Sequence, residues 1–160
     1  MPNTLEMVGE FHTTFGHPLL ETPQIPDEKR CALRVELIRE ELQELQDAIN
    51  DKDLVAVADA LADIQYVLSG AVHEFGLGEA FFDLFSEVQR SNMSKACKTA
   101  QEAEETIAFF KKEQEVDCYY KEVDGQFLVF RSSDNKTMKS IYYSPAQLRE
   151  VLESHMTKKS

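Results

Sequence analysis

Two long stretches, about 27–49 and 53–75, carry their residues at helical spacing and are separated only by "NDKD". A link that short joins helices as antiparallel neighbours. The first stretch has Val35, Ile38, Leu42, Leu45 and Ile49 in one apolar stripe, with Asp27 placed to cap its N-terminus. The second, "LVAVADALADIQYVLSGAV", is apolar nearly all round, as expected of a central helix in a bundle. This helical hairpin is the frame on which the rest of the chain must pack.

Around it the pattern predicts a short helix at 3–16, with Leu5, Val8, Phe11 and Phe15 on one face, then an ordered loop through "GHPLLETPQIP". Gly76 and Gly78 end the second long helix, and further helices follow at about 79–92 and 100–114. Phe81, Phe82, Leu84, Phe85 and Val88 read as core. Beyond residue 114 the alternation, the aromatic residues and "DG" at 124–125 predict three short antiparallel strands. A last helix is expected to open with Ser144 as cap and Pro145 at its first position. The fold class is therefore mainly α: a helical bundle over 1–114, with a small β-meander and terminal helix over 115–160.

Charge and cysteine content narrow the function. The chain has 160 residues and a formal net charge of −12, and its only basic clusters are "KK" pairs at 111–112 and 158–159. Such a molecule repels a phosphate polymer, so no nucleic-acid polymer is expected as partner. No apolar run reaches the ~18 residues of a membrane span, and the first residues lack the pattern of a leader. Cys31, Cys97 and Cys118 are scattered and form no CxxC, which argues against a disulfide framework or a zinc site and fits a reducing cytoplasm. His12, His17, His73 and His155 have no metal spacing and are expected in surface or capping roles.

The acidic residues carry the chemistry. With Glu40 at zero on a helix of about 100° per residue, Glu44 falls at about 40° and Glu41 at about 100°. Arg39, Gln43, Gln46, Glu36 and Asp47 occupy the solvated arc, so the three glutamates lie outside it, in a sector shared with Leu33, Leu37 and Ala48. They are expected to be half-buried. The second helix adds Asp59 and Asp63, one turn apart beside Ala56, Ala60 and Val67, with no Lys or Arg between Lys52 and Arg90. Carboxylates in such a setting need a partner, a raised pKa or a cation. Arg34 can pair with one of them but not with five. An oxygen-only ligand set suits Mg²⁺ or Mn²⁺.

"EELQE" followed by "DALADIQYV" resembles the all-α nucleoside triphosphate pyrophosphohydrolase superfamily, which includes MazG-type enzymes, phosphoribosyl-ATP pyrophosphohydrolases and dimeric dUTPases. "RVELIREELQEL", "FSEVQRSNMSK" and the "KSIYYSPAQL" tail resemble MazG-related proteins in particular. The likeness is good over about 5–97 and loose in the tail. It implies an EExxE motif, matched by Glu40, Glu41 and Glu44, and an ExxD motif, matched by Asp63, both binding Mg²⁺. It also implies a substrate-binding Asn and Lys, matched by Asn92 and Lys95. One position departs: the ExxD glutamate is Ala60, and Asp59, one residue earlier, either replaces that ligand, reaches it through water, or does neither.

The resemblance further implies hydrolysis of a nucleoside triphosphate, deoxy and non-standard nucleotides included, between the α and β phosphates to monophosphate and pyrophosphate. Glu41, Glu44 and Asp63 would hold metal, and Glu40 would bind metal or orient the attacking water. A homodimer or homotetramer is expected. A different class remains open: a catalytically degenerate helical oligomer that binds nucleotide or a protein partner without turnover, a reading to which Ala60 lends some weight.

Overall fold

Asparagine, aspartate and threonine caps start most of the helices, as the sequence pattern requires. The computed structural model describes residues 3–157, so the 158–159 lysine pair lies outside the described residues. Helix α1 (Thr4–Phe15) opens on a capping box between Asn3 and Glu6 and ends at Gly16 in the left-handed region. Helix α2 (Glu28–Asp51) is capped by Asp27 and closes at Lys52; α3 (Leu54–Glu74) is capped by Asp53, which accepts from the backbone N–H of Val55 and Ala56. Then come α4 (Phe81–Met93), α5 (Ala100–Gln114, capped by Thr99), strands β1 (Cys118–Val123) and β2 (Gln126–Arg131), and α6 (Leu148–Thr157).

The described residues fall into two compact units, one drawn from 1–82 and 152–160 and the other from 83–151. The boundary expected at 114/115 lies inside the second, because α5 packs against both strands.

In the first unit α3 is packed against α2 and against α1. The 16–26 loop is ordered, as expected: the N–H groups of Leu20 and Gln24 donate to the carbonyls of His73 and Phe75 at the end of α3, at 3.1 and 3.0 Å. Gly76 completes that arrangement. Its φ is +68°, and an added Cβ would lie 1.9 Å from the Thr22 carbonyl oxygen. Gly76→Ala is therefore expected to lose more than the ~1–2 kcal/mol of a left-handed non-glycine residue, because the obstacle is backbone; a urea midpoint equal to the parent's would refute this.

The face that α2 turns inward differs from the expected stripe. Arg34 and Ala48 are buried and Leu37 and Glu41 are half-buried together with Ile38 and Leu45 of the stripe, whereas its Val35, Leu42 and Ile49 are more than half exposed. Leu54, Val55 and Leu61 of α3 are exposed too. Helical spacing identifies an apolar stripe but not whether the chain's own elements cover it. By length and composition alone α3 is apolar enough to cross a membrane, against the expectation that no run approaches that limit. Its two aspartates and its packing on two neighbours are those of a bundle helix.

In the second unit Cys97, Ala103 and Val129 form the buried centre, with Ile107, Tyr120 and Phe127 against it. Strands β1 and β2 pair antiparallel around Asp124–Gly125, with Tyr120 opposite Val129. The expected third strand is reduced to the bridge between Phe130 and Thr137. After Met138 donates to Val129, the chain leaves the ladder and the Ser140 N–H donates to the Lys95 carbonyl. Ser144 does not cap a helix; its N–H donates to the Ser94 hydroxyl, and α6 begins four residues later. Phe82, Phe85 and Val88 are exposed rather than core.

Candidate active site

The packed hairpin of α2 and α3 brings the other four predicted carboxylates within electrostatic reach of Glu41. Glu41 sits in the middle of the inward face of α2 and Asp63 on the inward face of α3; both are half-buried. Glu40, Glu44 and Asp59 are exposed at the flanks, so the expectation of half-buried glutamates holds for Glu41 alone of the three. Burial pushes the Glu41 carboxyl above its ordinary range, and the charges of Glu44, Asp63, Glu40 and Asp59, in that order, push it further. One carboxylate thus feels the other four.

None of the five makes an ion pair among the described residues. Arg34, the cation placed to pair with one of them, turns to Glu74 instead. The donor chemistry fits a hard divalent cation, since every donor is a carboxylate oxygen and the surrounding field is uncompensated. The same field keeps the donors apart: no three of the described His, Cys, Asp or Glu residues already converge on a point where an ion could be held. Repulsion between exposed carboxylates favours that spread. Ala60 is only 3% exposed, and Asp59 beside it is exposed.

Asn92 and Lys95 come together in the second unit. The Lys95 ammonium donates to the Asn92 side-chain oxygen at 2.8 Å, and Lys95 lies just beyond the end of α4 rather than on the helix. The segment that carries them is strapped by the tail of its own unit. Ser91 and Tyr143 hydroxyls are 2.9 Å apart, the Arg90 guanidinium donates to the Pro145 carbonyl at 3.0 Å, and the Gln147 N–H donates to Glu87 at 2.8 Å. Cys97 and Phe127 exchange two backbone bonds of 2.9 Å. The hairpin and the strand-like tail therefore hold the Asn–Lys segment in shape.

Residues 8–92 match the model of the phosphoribosyl-ATP pyrophosphohydrolase family. The chain belongs to that family. The family is part of the MazG-like all-α nucleoside triphosphate pyrophosphohydrolase superfamily, and its enzyme class is pyrophosphohydrolase. All five carboxylates and Asn92 fall within the family segment, and Lys95 lies three residues past it. The chain is also 27% identical to "Uncharacterized protein L479" of Acanthamoeba polyphaga mimivirus, over 92% of this chain and 95% of that protein.

One polar constellation of this pyrophosphohydrolase domain escaped the sequence reading. Glu74 is 1% exposed and accepts from both Arg30 and Arg34. Its one local trace is that Arg30 and Arg34 stand one turn apart in the Glu41 sector. His12 and His73 are not surface groups either. The His12 Nδ1–H donates to the Pro18 carbonyl, and His73 Nε2 lies 2.8 Å from the Leu5 carbonyl.

Proposed function

We propose that this protein hydrolyses a nucleoside triphosphate at the α–β phosphoanhydride, with Mg²⁺ or Mn²⁺, to the monophosphate and pyrophosphate. The observation that carries this reading is the half-buried Glu41 surrounded by four further carboxylates without a cationic partner among the described residues. Glu41, Glu44 and Asp63 are assigned to hold the cation, with Asp59 at the flank. When bound, such an ion neutralises the triphosphate, acidifies an attacking water and stabilises the leaving pyrophosphate.

The chain's own residues do the rest. Glu40, exposed beside Glu41, either shares the cation or accepts a proton from the water. Lys95, hydrogen-bonded to Asn92 within its own unit, is the residue that the family resemblance assigns to a substrate phosphate. Catalysis by such a site is chiefly positioning and charge. The exposed apolar residues Val35, Leu42, Ile49, Leu54, Val55 and Leu61 support a homodimer or homotetramer. The degenerate-scaffold reading rests on Ala60, whose buried methyl stands where the resemblance places a glutamate.

Product analysis tests the reading. With a panel of ribo- and deoxynucleoside triphosphates and Mg²⁺, monophosphate and pyrophosphate are expected, together with a rise in melting temperature on adding the ion. Diphosphate and orthophosphate would place the cut at the other anhydride. A folded protein with no turnover and no thermal response to metal would favour the scaffold.

A further inference from the structure

Two ties hold α2 to α3, and the acidic cluster lies halfway between them. One is covalent, the turn at Lys52 and Asp53. The other is the Glu74 carboxylate, which accepts from Arg30 on both oxygens and from Arg34 on one. Glu41 stands midway along α2 between Arg30 and Lys52, and Asp63 midway along α3 between Lys52 and Glu74. Each is thus roughly 16 Å of helix from either tie. Rods pinned at both ends stay level in the middle, whereas a hairpin pinned only at its turn can slide or splay at the open end.

The open end needs its tie for two reasons. The middle of the hairpin repels itself: Glu41 feels the charges of Asp63 and Asp59 across the helix pair, besides those of Glu44 and Glu40 on its own helix. None of the five has a cationic partner among the described residues. Apolar packing is also incomplete there, because a cavity of about 230 Å³ lies between α1, α2 and α3, lined in part by Leu33, Leu37, Val67 and Gly70. The clamp itself is well shielded, with the Glu74 side chain 1% and the Arg34 side chain 9% exposed, so its charge-assisted bonds compete little with water. His12 Nε2 lies 3.4 Å from the Arg34 guanidinium. Gly70 leaves room for that guanidinium, since an added Cβ would lie 2.7 Å from Arg34 Nη1.

We propose that Glu74 is a positioning residue for the metal-binding carboxylates: through Arg30 and Arg34 it holds α2 level with α3, so that a divalent cation meets Glu41 and Asp63 already opposed. Such preorganisation is worth affinity because the ion does not have to draw two repelling helices together. The assignment rests on the hydrolase reading only in taking the acidic cluster as a cation site.

The test is calorimetric titration of the whole chain with Mn²⁺ alone, at a temperature where circular dichroism shows each variant folded. Glu74→Gln is expected to bind the ion at least about ten-fold more weakly than the parent, the lower end of the loss when a group that orients metal ligands is removed. Gly70→Ala keeps the carboxylate and favours the helix but displaces Arg34, so binding should weaken in the same direction; should Glu74→Gln not fold, this variant decides alone. Val8→Ala, at a buried position of α1, alters no charge and no clamp residue, and should lower the melting temperature while leaving the affinity unchanged. In turnover, the metal concentration giving half the maximal rate should rise for Glu74→Gln, with the rate at saturating metal returning to the parent's. Parent-like affinity in either clamp variant, or an equal loss in Val8→Ala, would overturn the proposal. So would a lowered saturating rate with unchanged half-saturation, the mark of a merely structural loss. A parent that binds Mn²⁺ but hydrolyses no nucleotide fails the hydrolase reading alone, and the calorimetric comparison still decides the clamp. A parent that binds no Mn²⁺ overturns both.

Discussion

Glu41→Gln is expected to lower kcat by roughly 10²–10³-fold, the scale seen when one preorganised charge-stabilising group is removed. The same change should make the metal-free protein less sensitive to pH. Burial and four neighbouring carboxylates raise the Glu41 pKa in the folded chain. A raised carboxyl contributes stability that is fully present below its ordinary value and is lost as pH rises through the folded one. Parent protein in chelator should therefore lose melting temperature between mildly acidic and neutral pH, and the glutamine variant should lose less. Adding Mg²⁺ should restore the parent and help the variant little, because a cation bound only by the folded state acts through its ligands. Pyrophosphate release and thermal unfolding at several pH values are the measurements. A variant as active as its parent would remove Glu41 from the site.

The opposite sign governs Glu74. Burial alone would raise its carboxyl, but the hydrogen bonds and charges of Arg34 and Arg30 outweigh it and hold the pKa below the ordinary range. A lowered carboxyl contributes stability above its ordinary value, and that contribution is lost as pH falls through the folded one. Glu74→Ala strands Arg34 in a setting where the residue is 7% exposed, and is expected to cost about 3–5 kcal/mol at neutral pH. Urea unfolding should show the gap between parent and variant shrinking in acid. A gap independent of pH, or below about 1 kcal/mol as for an exposed pair, would contradict the burial argument.

Much of the fold was legible because local chemistry marks helix ends. Asp27 caps α2 where the pattern put it, α3 starts next to the expected Asp53, and α5 spans the expected 100–114. The 3–16 helix also formed, with Val8 buried and Phe15 exposed on the face that was read as one stripe. Failures came where a signal records something other than contact within one chain. Val35, Leu42 and Ile49 of the α2 stripe are exposed while Glu41 is as enclosed as the stripe's Ile38 and Leu45, since hydrophobic spacing does not say which surface covers it. Ser144–Pro145 had the form of a helix start, but the bonds from Ser94 claimed that backbone first. Glu74 was overlooked because its partners are 40 and 44 residues away, and no local pattern encodes such a pairing. The carboxylates could be grouped from helix angles, spacing and the family motif, because each cluster lies within a single helix.

The cavity wall and the acidic cluster share the same two rods, Arg30 to Leu37 and then Glu40 to Glu44 on α2, Asp59 to Asp63 and then Tyr66 to Gly70 on α3. Their spacing is thus fixed by an advance of about 1.5 Å and a turn of about 100° per residue. Inserting or deleting a single residue between Leu37 and Glu40 would swing one set about a quarter-turn or more away from the other, even with every functional side chain kept. Length variation in this lineage should accordingly collect in the 16–26 loop and in the 132–136 turn, and be purged from the middle of the two helices.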